Sequence, residues 1–158
     1  MDLVIARRET KIPEMLRMLA LFEDERERLD KPQVRHPIRR EIVPGRTTDE
    51  AFSHFESMAK DRLLAYAQRA LDTRDAAQIA TRFRATAAQE VFIGTPDQCL
   101  AQIAALAAVA PIDPIIVRAQ WPDMTADDVV GYLDDLGKEI IPAVRTMVSV
   151  PRVVRDRG

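Results

Sequence analysis

The chain has 158 residues, of which 47% are hydrophobic and 30% charged, a composition typical of a globular domain that can bury a core. A net charge of -2 and a pI near 5.7 exclude the basic surplus that usually marks nucleic-acid binding. No apolar run is long enough to span a bilayer and the N-terminus lacks a signal peptide's basic region, so we expect a cytoplasmic protein without nucleic-acid or membrane partners.

The first predicted elements are a strand and a helix. Residues 3–6 form a short apolar run of the kind found in buried parallel strands. Arg7 and Arg8 follow this strand, and we interpret them as solvated rather than functional. Apolar residues at 3.6-residue spacing then predict a helix that begins near Ile12 and ends near Leu29.

A second strand is predicted at residues 38–43, followed by two helices. Either Thr47 or Thr48 can cap a long helix, because a hydroxyl oxygen accepts a hydrogen bond from a free N–H of the first turn. This helix is predicted to break at residues 72–74, and a further helix covers residues 76–88.

The segment around Gly94 has the strongest local pattern. Residues 91–93 are a short apolar strand, and Gly94 allows a tight turn. Thr95 and Gln98 have the spacing of a capping box for a helix that stops before Pro111. The start of this helix could bind an anion, but capping is the simpler role and the one we favour.

The last predicted elements are a strand at residues 115–117 and a helix capped by Thr125. One apolar stripe is expected along this helix, formed by Val129, Leu133, Leu136 and Ile140. Pro142 is predicted to kink or end the helix. Residues 1–148 are expected to form the domain, and residues 149–158 a frayed, basic tail.

The alternation of strands and helices predicts an α/β fold with parallel strands and helical crossovers. A (β/α)₈ TIM barrel needs about 250 residues. The chain therefore has material for roughly three of the eight units, and we expect a partial, helix-rich barrel. In a monomer the predicted strands at residues 3–6 and 115–119 would be unpaired sheet edges, which tend to recruit partners.

Three stretches, taken in order, resemble the luciferase-like flavin-dependent monooxygenase family. They are Thr48-Asp49-Glu50-Ala51 after a strand, Phe92-Ile93-Gly94-Thr95-Pro96-Asp97 before an amphipathic helix, and Ile116-Val117-Arg118-Ala119-Gln120-Trp121-Pro122-Asp123-Met124 before a helix ending in Glu139-Ile140-Ile141-Pro142-Ala143. The resemblance covers the last three or so units of that family's barrel. The chain departs from the family at Asp123, where glycine is usual, and at residues 110–112, where the turn lacks glycine.

The resemblance implies a monooxygenase that binds FMN, or alternatively a deazaflavin coenzyme, and acts on a small-molecule substrate. The family binds its flavin at the carboxyl ends of the barrel strands, and the flavin carries the chemistry while the protein positions it. The N-terminal half of the barrel is expected to be missing, so activity would require a complementary half-barrel. The catalytic residues stay unknown, and no metal is expected.

Four residues beyond the predicted strand ends are candidate cofactor-binding residues: Arg46, Arg118, Gln120 and Trp121. An arginine can hold a phosphate or an anionic substrate through two N–H groups at once. Trp121 could form the wall of an isoalloxazine or substrate site, or it could simply pack the end of the barrel. For Arg118, ligand binding and pairing with a carboxylate remain equally open.

A rival hypothesis makes the chain a non-catalytic module that self-associates through its exposed strand edges. The one cysteine, Cys99, excludes an internal disulfide. It lies in an apolar stretch, and no motif links it to His36 or His54 as a base, so we interpret it as a buried, inert thiol.

Overall fold

The computed structural model describes residues 12–69, 76–121 and 124–147, excluding the side chains of residues 66–68 and 76–81. The elements are, in chain order, α1 (Ile12–Arg28), β1 (His36–Arg39), β2 (Ile42–Pro44), α2 (Thr48–Gln68), α3 (Ala76–Glu90), β3 (Phe92–Gly94), α4 (Pro96–Ala107), β4 (Ile112–Ile116), α5 (Ala126–Asp135), a π-helical turn (Leu136–Ile140) and α6 (Ile141–Met147). Several predicted features lie outside the described residues, namely the strand at 3–6, Arg7, Arg8, the helix break at 72–74, Asp123 and the tail at 149–158.

Two pairs of parallel strands form the sheet structure. β1 pairs with β4, and β2 pairs with β3. At the junction of β1 and β2, the Arg40 N–H donates to the Ile116 carbonyl at 3.1 Å, while the Glu41 carbonyl accepts from the Phe92 N–H at 3.0 Å. Consecutive residues of an extended strand direct their polar groups to opposite edges. The β1–β2 segment therefore lies between β4 on one edge and β3 on the other.

The outer edge of β3 is closed by a side chain instead of a strand. The Gln102 side-chain amide accepts from the Ile93 N–H at 3.1 Å and donates to the Ile93 carbonyl at 2.9 Å. One glutamine thus satisfies the two backbone groups that a neighbouring strand would otherwise pair. Such coverage blocks edge-to-edge association at this strand.

The core consists of two apolar clusters on opposite faces of the strands. Ile42 and Phe92 belong to the first cluster, with α1, α4 and the π-helical turn. Val43 and Ile93, the next residue of each strand, belong to the second cluster, with α2, α3 and Trp121. The separation follows from the two-residue period of a strand, which sends successive side chains to opposite faces.

Local capping signals are confirmed at two helix starts. The Thr95 hydroxyl accepts from the Gln98 N–H, and the Gln98 side chain accepts from the Thr95 N–H at 2.8 Å. Thr125 and Asp128 form the same reciprocal arrangement at the start of α5. Gly94 has a φ of 138°, which L-residues with side chains rarely adopt, so glycine is required at this turn.

The structure differs from the sequence predictions in several places. The predicted strand at residues 38–43 is divided into β1 and β2. β4 begins earlier, at Ile112, contains a cis Asp113–Pro114 bond and ends at Ile116 rather than reaching 119. A closed barrel is not present in the described residues, where helix-covered parallel pairs are found instead. In the barrel segment expected from the sequence, β4 would lie beside β3, the strand before it in the chain, whereas here β4 pairs with β1 and β3 pairs with β2.

The final helical region also departs from prediction. The helix does not end at Pro142; it continues to Met147 through the π-helical turn that precedes the proline. A wider turn accommodates the proline, which cannot donate a backbone hydrogen bond and crowds the preceding turn. The predicted apolar stripe is buried at Leu136 and Ile140, whereas the Leu133 side chain is 48% exposed.

Candidate functional site

A groove lies between α2 and α5, next to the carboxyl end of β2. It consists of an open cleft of about 520 Å³, a second cleft of about 700 Å³ and a small cavity of about 10 Å³. The two clefts share Pro44, His54 and Asp135. The first cleft and the small cavity share four lining residues: Val43, Met58, Met124 and Tyr132. We call this continuous surface the α2–α5 groove.

The groove connects two of the predicted site residues. Arg46 lines the second cleft at one end, and Trp121 lines the small cavity at the other. These residues are 75 positions apart in the chain. The common location agrees with the general placement of ligand sites beyond the carboxyl ends of parallel strands.

At the first end of the groove, the charge of Arg46 is compensated by Glu50. The Arg46 Nε lies 3.1 Å from both carboxylate oxygens, and its backbone N–H donates to the same group at 3.2 Å. The hydrogen bond from Arg46 holds the pKa of Glu50 below its ordinary value. The Arg46 side chain is 89% exposed, so this pair marks the groove entrance rather than an enclosed binding pocket.

At the other end, Trp121 is part of the core. Its side chain is only 5% exposed, and the Phe55 ring meets it edge-on at a centroid distance of 5.7 Å. The guanidinium carbons of Arg62 and Arg118 lie 4.8 and 4.9 Å from the Trp121 ring centroid. The structure thus brings Arg118 and Trp121 together, while the adjacent Gln120 is exposed.

Four carboxylates line the wall of the groove formed by α5 and the π-helical turn: Asp127, Asp128, Asp135 and Glu139. Hydrogen bonds from Thr125 hold the pKa of Asp128 below its ordinary value, so this group is ionised at neutral pH. Tyr132 donates a 2.8 Å hydrogen bond to the Ile42 carbonyl. Its burial, together with the nearby Glu41, raises the pKa of the phenol.

His54, Tyr132 and Asp135 are among the groove residues that were not identified from sequence. His54 is one of two histidines, but no local motif marks it, because its neighbours in the groove come from a helix about 80 residues away. The other histidine, His36, is fully buried at the amino end of β1 and lies 3.0 Å from Glu23. His36 therefore lies at the end of the strands that is opposite to the α2–α5 groove.

Cys99 is a buried, inert thiol, as the sequence indicated. Its side chain is fully buried, and burial raises the pKa of the thiol from 9.0 to about 11. At neutral pH almost no thiolate forms, so the group cannot act as a nucleophile. Across the described ranges, no cluster of three or more metal-ligating side chains is found.

The described residues form only part of a binding site for flavin mononucleotide. Such a cofactor needs a slot for its ring and donors for its phosphate. The acidic wall of the groove repels a phosphate, and the ring of Trp121 is covered by protein. Beside Trp121, the partly exposed Arg118 suits an anionic group, so the residues that fit the cofactor are restricted to the neighbourhood of that end of the groove.

Within the described residues, no helix is long and apolar enough to cross a membrane. No family model matches the chain, and no curated protein matches it.

Solved structures do match the chain. One is the monooxygenase RslO1 from Streptomyces bottropensis, with a TM-score of 0.68 and 14% sequence identity over 90% of this chain and 42% of that protein. The chain shares its fold with part of a monooxygenase. Another match is the oxygenating constituent of 3,6-diketocamphane monooxygenase from Pseudomonas putida, a type II Baeyer–Villiger monooxygenase in complex with FMN, with a TM-score of 0.54 and 15% identity over 89% of this chain and 42% of that protein.

The chain thus spans less than half the length of either structural neighbour. At these identities the likeness concerns the fold alone. It agrees at that level with the resemblance found in the sequence.

Proposed function

We propose that the chain is part of a luciferase-like, flavin-dependent monooxygenase and is active only when the rest of the barrel is supplied. The observation that carries this proposal is the likeness to RslO1 over 90% of the chain but only 42% of that monooxygenase. The ordered motifs of the sequence point to the same family independently.

FMN is the cofactor we propose, because one structural neighbour is in complex with it; a deazaflavin coenzyme is the alternative. The α2–α5 groove would contribute one wall of the cofactor and substrate site. Trp121 at one end of the groove, with the neighbouring Arg118 and Gln120, would border the ligand, and Arg46 would do so at the entrance. The complementary segment would supply the ring slot, which fits the incomplete flavin site of the described residues.

The test is reconstitution. The chain would be co-expressed with the part of RslO1 that the likeness does not cover, which is more than half of that protein. Size-exclusion chromatography with light scattering would record absorbance at protein and flavin wavelengths. We expect a complex of one copy of each segment that retains FMN and oxidises an added reductant, while the isolated chain retains little flavin.

Two results would contradict the proposal. The first is a folded complex that retains no flavin and has no activity. The second is a colourless, stable homodimer of the chain that does not combine with the complementary segment, which would instead support the self-associating module. As a control, intact RslO1 establishes the flavin absorbance of a complete barrel under the same conditions.

A further inference from the structure

The Arg118 side chain lies over an aromatic ring and is partly exposed. Its guanidinium carbon lies 4.9 Å from the centroid of the Trp121 ring, and the side chain is only partly exposed. Stacking on an aromatic ring uses the flat face of a guanidinium, whereas its five N–H groups point outward around the edge. The edge of Arg118 can therefore donate to a ligand without losing its contact with Trp121.

Two other surface arginines of the described chain, Arg84 and Arg46, donate to carboxylates. Arg84 also lies over an aromatic ring, at 5.6 Å from the Phe52 centroid, but its N–H groups donate to Asp49 at 2.9 Å. Arg46 donates to Glu50. Among the described residues, Arg118 contacts the ring of Trp121.

The support beneath Arg118 is rigid. Trp121 is packed edge-on against Phe55, and Arg62 from α2 lies 4.8 Å from the same ring centroid. A fixed side chain loses little conformational entropy when it binds a ligand.

The location of Arg118 also suits the binding of an anion. Arg118 is two residues beyond β4, at its carboxyl end, and the exposed amide of Gln120 lies two residues further along. The buried carboxylate of Glu41 lines the cavity beside Trp121 and is 1% exposed. An anion arriving from solvent can reach the partly exposed Arg118, whereas Glu41 is shielded from solvent.

We propose that Arg118, stacked on Trp121, is a binding subsite for an oxyanion, a phosphate, sulfonate or carboxylate group, held by two parallel N–H···O bonds. For the source of the oxyanion, the inference rests on the proposed function: either the flavin phosphate or an anionic substrate would supply it. The subsite itself can be tested without flavin.

The experiment uses the fluorescence of Trp121, the single tryptophan of the chain. Inorganic phosphate is titrated into the chain at constant ionic strength, with chloride as the reference anion. We expect a saturable fluorescence change with phosphate and none with chloride. Arg118→Lys should weaken phosphate binding about tenfold, because an ammonium cannot form the paired hydrogen bonds, and Arg118→Gln should abolish the change.

Arg84→Gln is the matched control, because it removes another ring-stacked arginine that is paired with a carboxylate. It should leave phosphate binding unchanged, and circular dichroism would verify that every variant is folded. If phosphate does not change the Trp121 fluorescence, or if Arg118→Gln responds like the parent chain, the proposal of an oxyanion subsite is wrong.

The reconstituted complex then separates the two sources. If FMN is retained more tightly than riboflavin, and Arg118→Gln removes that difference, the ligand is the flavin phosphate. If the two flavins are retained equally while phosphate still binds, the site serves a substrate anion. Phosphate binding without any flavin retention in the complex would overturn the proposed function and leave the subsite in place.

Discussion

Single residues in this chain are governed mainly by what surrounds them in the fold. Cys99 and Tyr132 are ordinary residue types, yet burial raises the pKa of both side chains. Charged forms are disfavoured in an apolar environment, because they lose the hydration that water provides. On the surface, both side chains would ionise at a lower pH than they do in the core.

We predict that Cys99 resists thiol reagents in the folded protein at pH 8 and reacts quickly in denaturant. The pKa of Cys99 is about 11 in the folded protein, against 9.0 for an ordinary thiol. The stabilisation that follows from this difference is fully present below pH 9 and is lost as the pH rises through 11. The free energy of unfolding should fall by on the order of 1 kcal/mol over that range. Urea titrations at each pH would measure it, and a Cys99→Ala variant with an equally steep decline would contradict the assignment.

Tyr132→Phe should lower the free energy of unfolding by about 1–3 kcal/mol, because it leaves the buried Ile42 carbonyl without the hydroxyl donor. Urea denaturation would measure the change. The control is Thr146→Val, which removes an exposed hydroxyl bonded to the Ala143 carbonyl within α6 and should cost less than about 0.5 kcal/mol. If both variants lost the same free energy of unfolding, the hydrogen bond from Tyr132 in α5 to Ile42 in β2 would add no particular stability.

At the scale of elements, the helix starts and turns follow local chemistry, while the sheet edges do not. Thr95, Gln98 and Thr125 act as their spacing predicts, because a capping box involves residues three apart. The edge of β3 is closed by Gln102, which is nine residues from Ile93 but reaches it only because α4 packs against β3. No local pattern identifies that role.

Two glycine substitutions test this element-scale account. Gly94→Ala should destabilise the protein by about 1–3 kcal/mol, because φ is 138° and the new Cβ would lie 2.3 Å from the Gln98 Oε1. Gly131→Ala is the control: nothing lies within 4 Å of its added Cβ in α5, and removing a helix-interior glycine should stabilise by about 0.5–1 kcal/mol. Thermal unfolding would compare them, and a neutral Gly94→Ala would contradict the strained turn.

At the scale of the whole molecule, the two core clusters share the same strands. Ile42 faces one cluster and the adjacent Val43 faces the other. Loss of the strands would therefore expose both clusters together, and we expect one cooperative unfolding transition.

Phe55→Ala and Ile103→Ala place one truncation in each cluster, at residues that are 2% and 1% exposed. Each should cost about 2–5 kcal/mol through lost burial and a cavity. Trp121 fluorescence, which reports on the second cluster, and far-UV circular dichroism should give coincident urea transitions for both variants. Separate transitions in either variant would mean that the clusters unfold independently.

The resemblance in the sequence and the likeness to solved monooxygenases agree at this scale. Neither identifies the ligand, because the groove is assembled from α2, α5 and the strand ends. The oxyanion subsite at Arg118 depends on the stacking of a side chain from the β4 end on Trp121, and sequence reasoning had left ligand binding and carboxylate pairing equally open at that position.

The sequence by itself determined the presence of the helices, the caps at Thr95 and Thr125, the glycine turn and the inert cysteine, because each depends on interactions within about one helical turn or on local apolar spacing. Only the tertiary structure decided the division of the second strand, the pairing of β4 with β1 and the closing of β3 by Gln102. It alone joined Arg46 to Trp121 through one groove and fixed Tyr132 to a carbonyl 90 residues away. Such contacts depend on how elements pack in three dimensions, and a local pattern carries no information about which distant surface will meet it.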